Sequence, residues 1–216
     1  MEPLLELRNI NKSFGDKNVL EDIRLKIFTG DYISITGASG SGKSTLVNIL
    51  AFLDNDFRGE YLFNGNTVKK DKQAEFRNRH LGFIFQQYNL IPQLTAYENA
   101  ILPYSFFRGN IPDFKEKITE MFTLFGLEKQ MNQVVNTLSG GEKQRVAMIR
   151  SISLDPEIII ADEPTGNLDE NNSVIVRKYL KMLNKLGKTI IVVTHDLPFA
   201  DEAKRKLRLS GGKLDE

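Results

Sequence analysis

The sequence predicts an α/β domain with a mostly parallel sheet, a small antiparallel β part and an inserted helical lobe. Three observations predict it. Short β-branched runs alternate with helical patterns along most of the chain. Two of those runs, "EIIIAD" (157–162) and "KTIIVVTH" (188–195), are almost continuously apolar, as strands covered on both faces are. Between Gln86 and Leu138 the alternation stops and a helical pattern takes over.

The early runs 4–10 and 23–28 precede the first βα unit and are assigned to the antiparallel part. "YISITG" (32–37) reads as a strand ending in a glycine loop, and "KSTLVNILAFL" (43–53) as the helix after it. "EYLFNG" (60–65) and "LGFIFQ" (81–86) read as further strands. "DFKEKITEMFTLFGL" (113–127) puts Phe114, Ile118, Met121, Phe122 and Phe125 on one helical face, the core of a lobe spanning about 87–153. Helices are expected at 141–153 and at 171–185, the latter with Lys178, Lys181 and Lys185 outward. Lys204-Arg205-Lys206 reads as a solvated helix end. At the close of the chain, 205–210 and 213–214 read as a hairpin joined by Gly211-Gly212.

The 216 residues suit one domain, 1–216, able to bury a core. Hydrophobic residues at 41% and charged residues at 26% are ordinary globular values, which argues against disorder. The 29 lysines and arginines nearly balance the 28 aspartates and glutamates, so no nucleic-acid partner is expected. Without cysteine there are no disulfides or thiolate metal sites. The N-terminus lacks a signal-peptide pattern, and no apolar run reaches the roughly 18 residues that span a bilayer. A cytoplasmic protein is the expectation.

"GASGSGKST" (37–45) matches G-x-x-x-x-G-K-[ST] between a strand and a helix, the P-loop arrangement. Gly37, Ala38, Ser39, Gly40, Ser41 and Gly42 would curl so that backbone N–H groups face phosphate oxygens. Lys43 supplies a mobile charge for the β- and γ-phosphates, Ser44 a hydroxyl for Mg²⁺, and Thr45 a contact to the α-phosphate. Asp162 and Glu163 sit where a buried strand ends, at the edge where α/β sheets bind ligands. Asp162 can hold Mg²⁺ through water and Glu163 can polarise the water that attacks the γ-phosphate. His195 ends another strand at the same edge; pattern alone leaves it either a structural histidine or a ligand of the γ-phosphate or water. His80 has no such placement and is expected at the surface.

"LSGG" occurs twice. Ser139, Gly140 and Gly141 lead into a helix starting at Glu142, a second potential anion site. The copy at 209–212 has only "KLDE" after it and reads as a turn.

"GASGSGKST", "FIFQQ", "LSGGEKQR", "IIIADEPTGNLD" and "VVTHD", in that order, resemble the ATP-binding cassette (ABC) ATPases over essentially the whole chain. The resemblance implies a homodimer across two ATP, in which Ser139, Gly140, Gly141 and Glu142 of one copy cap the nucleotide on the other's phosphate loop. It implies that Gln86 touches Mg²⁺ and links the site to the lobe, and that Asp169 crosses the dimer interface. It makes His195 a γ-phosphate ligand, and it puts Phe14 where the family stacks an aromatic on adenine. From residue type alone Phe14 is equally a packed core residue. "MIRSIS" (148–153) departs from the family's alanine-and-arginine-rich run, although Arg150 keeps the basic position.

One cassette, no long heptad region and no cysteine favour a transporter subunit over the soluble repair, chromosome or ribosomal members. "SGSGKSTLVNILAFLD", "FQQYNLIPQLTAYENAILP" and "DEPTGNLD" resemble the lipoprotein-releasing, macrolide-export and antimicrobial-peptide-resistance subfamily, with the cell-division ATPase as the alternative. The expectation is an ATPase on the inner face of the membrane, held there by an integral membrane permease. Residues 88–104, with Tyr88, Leu90, Ile91, Leu94 and Tyr97, read either as its docking groove or as lobe core.

Overall fold

A computed structural model describes residues 2–216. The chain runs β1 (Leu5–Phe14), β2 (Lys17–Ile27), β3 (Tyr32–Thr36), α1 (Lys43–Leu50), β4 (Arg58–Phe63), β5 (Asn66–Thr67), α2 (Gln73–His80), β6 (Leu81–Ile84) and α3 (Ala96–Ser105). It continues through α4 (Phe114–Leu124), α5 (Gly140–Ile152), β7 (Ile158–Asp162), α6 (Glu170–Lys185), β8 (Thr189–Val193), α7 (Leu197–Ala200), β9 (Arg205–Ser210) and β10 (Lys213–Asp215).

Two sheets form. One has the order β2-β1-β4-β5 and is antiparallel; the other has the order β10-β9-β3-β8-β7-β6. In the second, β9, β3, β8, β7 and β6 run parallel and only β10 is reversed. Every residue of β8 is buried, and so are Ile158–Ala161 of β7. Successive side chains go to opposite faces. Ile158, Ile160, Ile191 and Val193 join Ile33, Ile35, α1 and the antiparallel sheet in one apolar cluster. Ile159, Ala161, Ile190 and Val192 join α3, α4, α5 and α6 in another. That two-sided burial is why these strands read as unbroken apolar runs.

Several expectations shift. The helix read over 43–53 stops at Leu50, and Phe52 takes a left-handed φ of 52°. The antiparallel strands extend well beyond 4–10 and 23–28, because β1 and β2 continue as a hairpin through Gly15. Lys204-Arg205-Lys206 does not end a helix: β9 begins at Arg205, which pairs with Asp31 and Glu216, while Lys206 pairs with Asp201. Two of the three charges are thereby paired. His80 is not a plain surface residue; its ring packs on Phe63 and Phe76, and Nδ1 lies 2.8 Å from Glu157 Oε1.

Between β6 and β7 the described residues hold helices and turns with one isolated bridge, Thr95 to Val134, and no strand. α4 buries Phe114, Ile118 and Phe122, with Phe125 buried just past its end and Met121 half-buried. Leu90 and Tyr97 pack partly buried against this cluster, whereas Ile91 is exposed.

Candidate active site

β3 delivers the chain to Gly37 at the C-terminal edge of the parallel sheet. The loop 37–42 turns into α1 at Gly42, whose φ of 103° strongly favours glycine. No side chain caps α1, so its first N–H groups stay open toward the loop. Lys43 Nζ lies across the loop, donating to Gly37 O at 2.8 Å and Ala38 O at 3.0 Å. Among the described residues the buried Ser41 hydroxyl finds no hydrogen-bond partner. Ser44 stands exposed on the first turn of α1, beside half-buried Thr45; Ala38, Ser39 and Gly40 are exposed. A glycine-rich loop leading into an uncapped helix start, with one lysine lying across it, suits a polyphosphate.

The second LSGG forms the wall of this cradle. Gly211 and Gly212 have φ of 54° and 78° and make the β9–β10 turn. A Cβ on Gly37 would stand 2.3 Å from Leu209 O and 2.7 Å from Ser41 Oγ. Only glycine lets β3 pass this close to β9. Residues 208–212 also line one cavity with Ala38–Ser41 and Lys17–Val19.

β8 lies between β3 and β7, so the cradle, Asp162 and His195 open on one edge. Burial, then the adjacent Glu163, push the Asp162 carboxyl above its ordinary value, while Lys43 pulls it down. Glu163 has φ 45° and donates its N–H to Val193 O at 2.8 Å. Its carboxylate accepts from Thr194 Oγ1 at 3.2 Å and His195 N at 3.3 Å, with His195 Nδ1 2.9 Å from Oε1. Thr194, buried and holding the carboxylate, escaped the sequence reading; a lone threonine after "IIVV" carries no signal.

Gln86 follows β6, with its carbonyl accepting from Asn167 at 2.9 Å. Its side chain lies beside Gly166, where a Cβ would meet Nε2 at 2.9 Å. It therefore reaches the loop that follows Glu163. Arg150 of α5 donates to the carbonyls of Tyr88 and Asn89, both at left-handed φ, and so pins the turn after Gln86. Burial lowers this guanidinium to about 10.

Ser139 is the N-cap of α5. Its hydroxyl donates to Glu142 Oε2 at 2.7 Å and accepts from Glu142 N at 3.4 Å, a capping box. These hydrogen bonds, from the Ser139 N–H first, lower the Glu142 carboxyl below its ordinary value. Gly140 is exposed; Gly141 is buried against α6, where a Cβ would stand 2.1 Å from Asn172 Oδ1. Asn172 in turn donates to Asp169, the exposed N-cap of α6. α5 packs on α3, α4, α6 and β6, whereas α1 packs on β2 and β7. The two helices thus pack on different neighbours within the chain. Phe14, at the end of β1, is 56% exposed and is not a core residue.

A profile of the ABC transporter family matches residues 20–166. The macrolide export ATP-binding/permease protein MacB of Pasteurella multocida is 42% identical over 220 residues, which cover 99% of this chain and 34% of that protein. The chain therefore spans about a third of this relative's length. An uncharacterized ABC transporter ATP-binding protein of Thermotoga maritima is 40% identical across 100% of this chain and 95% of its own. Among solved structures, the dimeric bacterial ABC transporter cassette MJ0796 superposes with a TM-score of 0.88 at 38% identity, covering 98% of this chain and 97% of that one. The same cassette in a dimeric post-hydrolysis state with ADP and Pi gives 0.87.

Proposed function

The chain belongs to the ABC transporter family as an ATP-hydrolysing nucleotide-binding cassette, and from that premise we propose that two copies close over two ATP to drive a membrane permease. Phosphates lie on residues 37–45, with Lys43 at the β- and γ-positions and Thr45 at the α-phosphate. Ser139, Gly140, Gly141 and Glu142 of the second copy close the far side, and Asp169 reaches across. The solved relatives described as dimeric support this, as does the separation of α5 from α1 within one chain.

Mg²⁺ fits the residues present. Among the described residues no group of three or more His, Cys, Asp or Glu forms a ready cage. Magnesium instead takes one or two protein oxygens plus phosphates and water. Asp162, whose carboxyl is pushed up by burial and by Glu163, would hold the ion, with the Ser44 hydroxyl and the Gln86 side chain as the further oxygens. An ion held there would supply positive charge to offset that of the phosphates. Glu163, held by Thr194 and His195, orients water and takes its proton, and His195 steadies the γ-phosphate.

The observation that carries the reading is the Glu163 carboxylate, fixed at the sheet edge that also bears the uncapped α1. Glu163→Gln should keep ATP binding, lower turnover about 100-fold or more, and trap an ATP-dependent dimer visible by light scattering. Wild-type turnover in that variant sinks the assignment.

Among the described residues no helix is long and apolar enough to cross a membrane. The stretch of about 87–153 serves as the lobe that meets the permease, through exposed Ile91 and the half-buried Tyr88, Leu90, Leu94 and Tyr97. Export or extraction of drugs, peptides or lipoproteins is the work proposed, on the likeness to the MacB export protein. A permease that binds the cassette without changing its ATPase rate would argue against coupling.

A further inference from the structure

Lys12 is 4% exposed, an expensive place for an ammonium unless it is paired. Asp54 lies 2.9 Å from Nζ, Asp56 Oδ2 lies 3.2 Å away, and the Asp56 carbonyl accepts a further bond. The same nitrogen stands over the Phe14 ring, 4.8 Å from its centroid. Residues two apart on a strand share a face, which brings this pair together. Phe14 itself is more than half open to solvent. Asp54 and Asp56 lie in the turn after α1, whose other end begins at the phosphate loop.

We propose that Lys12, anchored by Asp54 and Asp56, is a positioning residue for base recognition: it holds the Phe14 ring by one face and leaves the other to stack on adenine. This rests on Phe14 being the adenine platform. An exposed phenylalanine near a hairpin tip would otherwise sample several rotamers, and ordering it would oppose binding. A desolvated cation against one ring face restricts those rotamers before the nucleotide arrives. The anchor also ties the platform to α1, a rigid element roughly 12 Å long. Base and phosphates are thereby registered to the same helix.

The test titrates Mg·ADP and inorganic tripolyphosphate into the purified chain by calorimetry. Phe14→Ala and Lys12→Met should each weaken ADP by roughly 5- to 10-fold and leave tripolyphosphate within about 2-fold, because only ADP carries a base. Lys12→Arg, which keeps the cation, should recover most of the loss. If Phe14→Ala leaves ADP untouched, the platform reading fails and the proposal falls with it. If Phe14→Ala weakens ADP while Lys12→Met does not, the proposal alone is overturned. Equal loss of both ligands in Lys12→Met would mean a merely structural lysine, also overturning it. Should Lys12→Met not fold, Asp56→Asn decides, since that side chain is 99% exposed: ADP about 2-fold weaker with tripolyphosphate unchanged supports the proposal, and no change in ADP overturns it.

Discussion

Leu-Ser-Gly-Gly opens α5 from Leu138 and closes β9 from Leu209, and the two copies do different work with the same atoms. At the first, Ser139 caps a 13-residue helix, and the N–H groups of Gly140 and Gly141 begin its first turn. At the second, Gly211 and Gly212 take left-handed φ to reverse the chain, and Ser210 is an exposed side chain. What Leu209 offers is a carbonyl pressed against Gly37. A glycine pair is thus an open helix end where an amphipathic helix follows, and a reversal where only a short strand does. The sequence downstream decides which.

The sharpest way to break the comparison is Gly37→Ala. The added carbon would stand 2.3 Å from Leu209 O. Backbone must move, at about 1–3 kcal/mol, and the cradle with it. Turnover should fall at least about 100-fold and nucleotide binding with it, by ATPase assay and calorimetry. Full affinity in that variant would mean the second copy does not shape the phosphate loop.

Next in size is the serine pair. Ser139→Ala should lower ATPase roughly 10- to 100-fold, the loss of one hydrogen bond to a charged group, and cost about 1 kcal/mol as a lost cap. Ser210→Ala should leave the rate within about 2-fold. Equal effects from the two would erase the distinction.

The smallest effect is a pH dependence that only the first copy has. Glu142 is held below its ordinary carboxyl value of 4.5 by the Ser139 N–H and hydroxyl. Its folded value is depressed, so its stabilisation is present above the unfolded value and fades as pH falls through the folded one. The gap in Tm between wild type and Ser139→Ala should narrow as pH falls below the ordinary carboxyl range. Ser210→Ala should show no such trend. A gap constant with pH would place the cap's contribution elsewhere.

Much of this was legible in the chain. The strand ends carrying Asp162, Glu163 and His195 are apolar runs stopping at polar residues, a local pattern. The loop at 37–45 sits between a strand and a helix. The Leu209–Gly37 contact was not legible, because it joins segments at opposite ends of the sequence and depends on how closely two strands pack. The grip of Thr194 on Glu163 and of Arg150 on the turn after Gln86 are also long-range. α2, α7 and β5 went unread because they are short and weakly patterned; α2 buries only Gln73 and Phe76. Ser139 and Glu142 have capping-box spacing, but the spacing alone did not say that the hydroxyl would be committed to the carboxylate before any nucleotide arrives.

The closeness of Gly37 to Leu209 O also bears on how the protein is made. A ribosome releases β3 and its glycine loop first among the parallel strands, whereas β9 is the last of them to emerge. Until β9 is made, the nascent chain carries the floor of the cradle without its wall. A firm hold on ATP must therefore wait until β9 has been made, well after the glycine loop it closes.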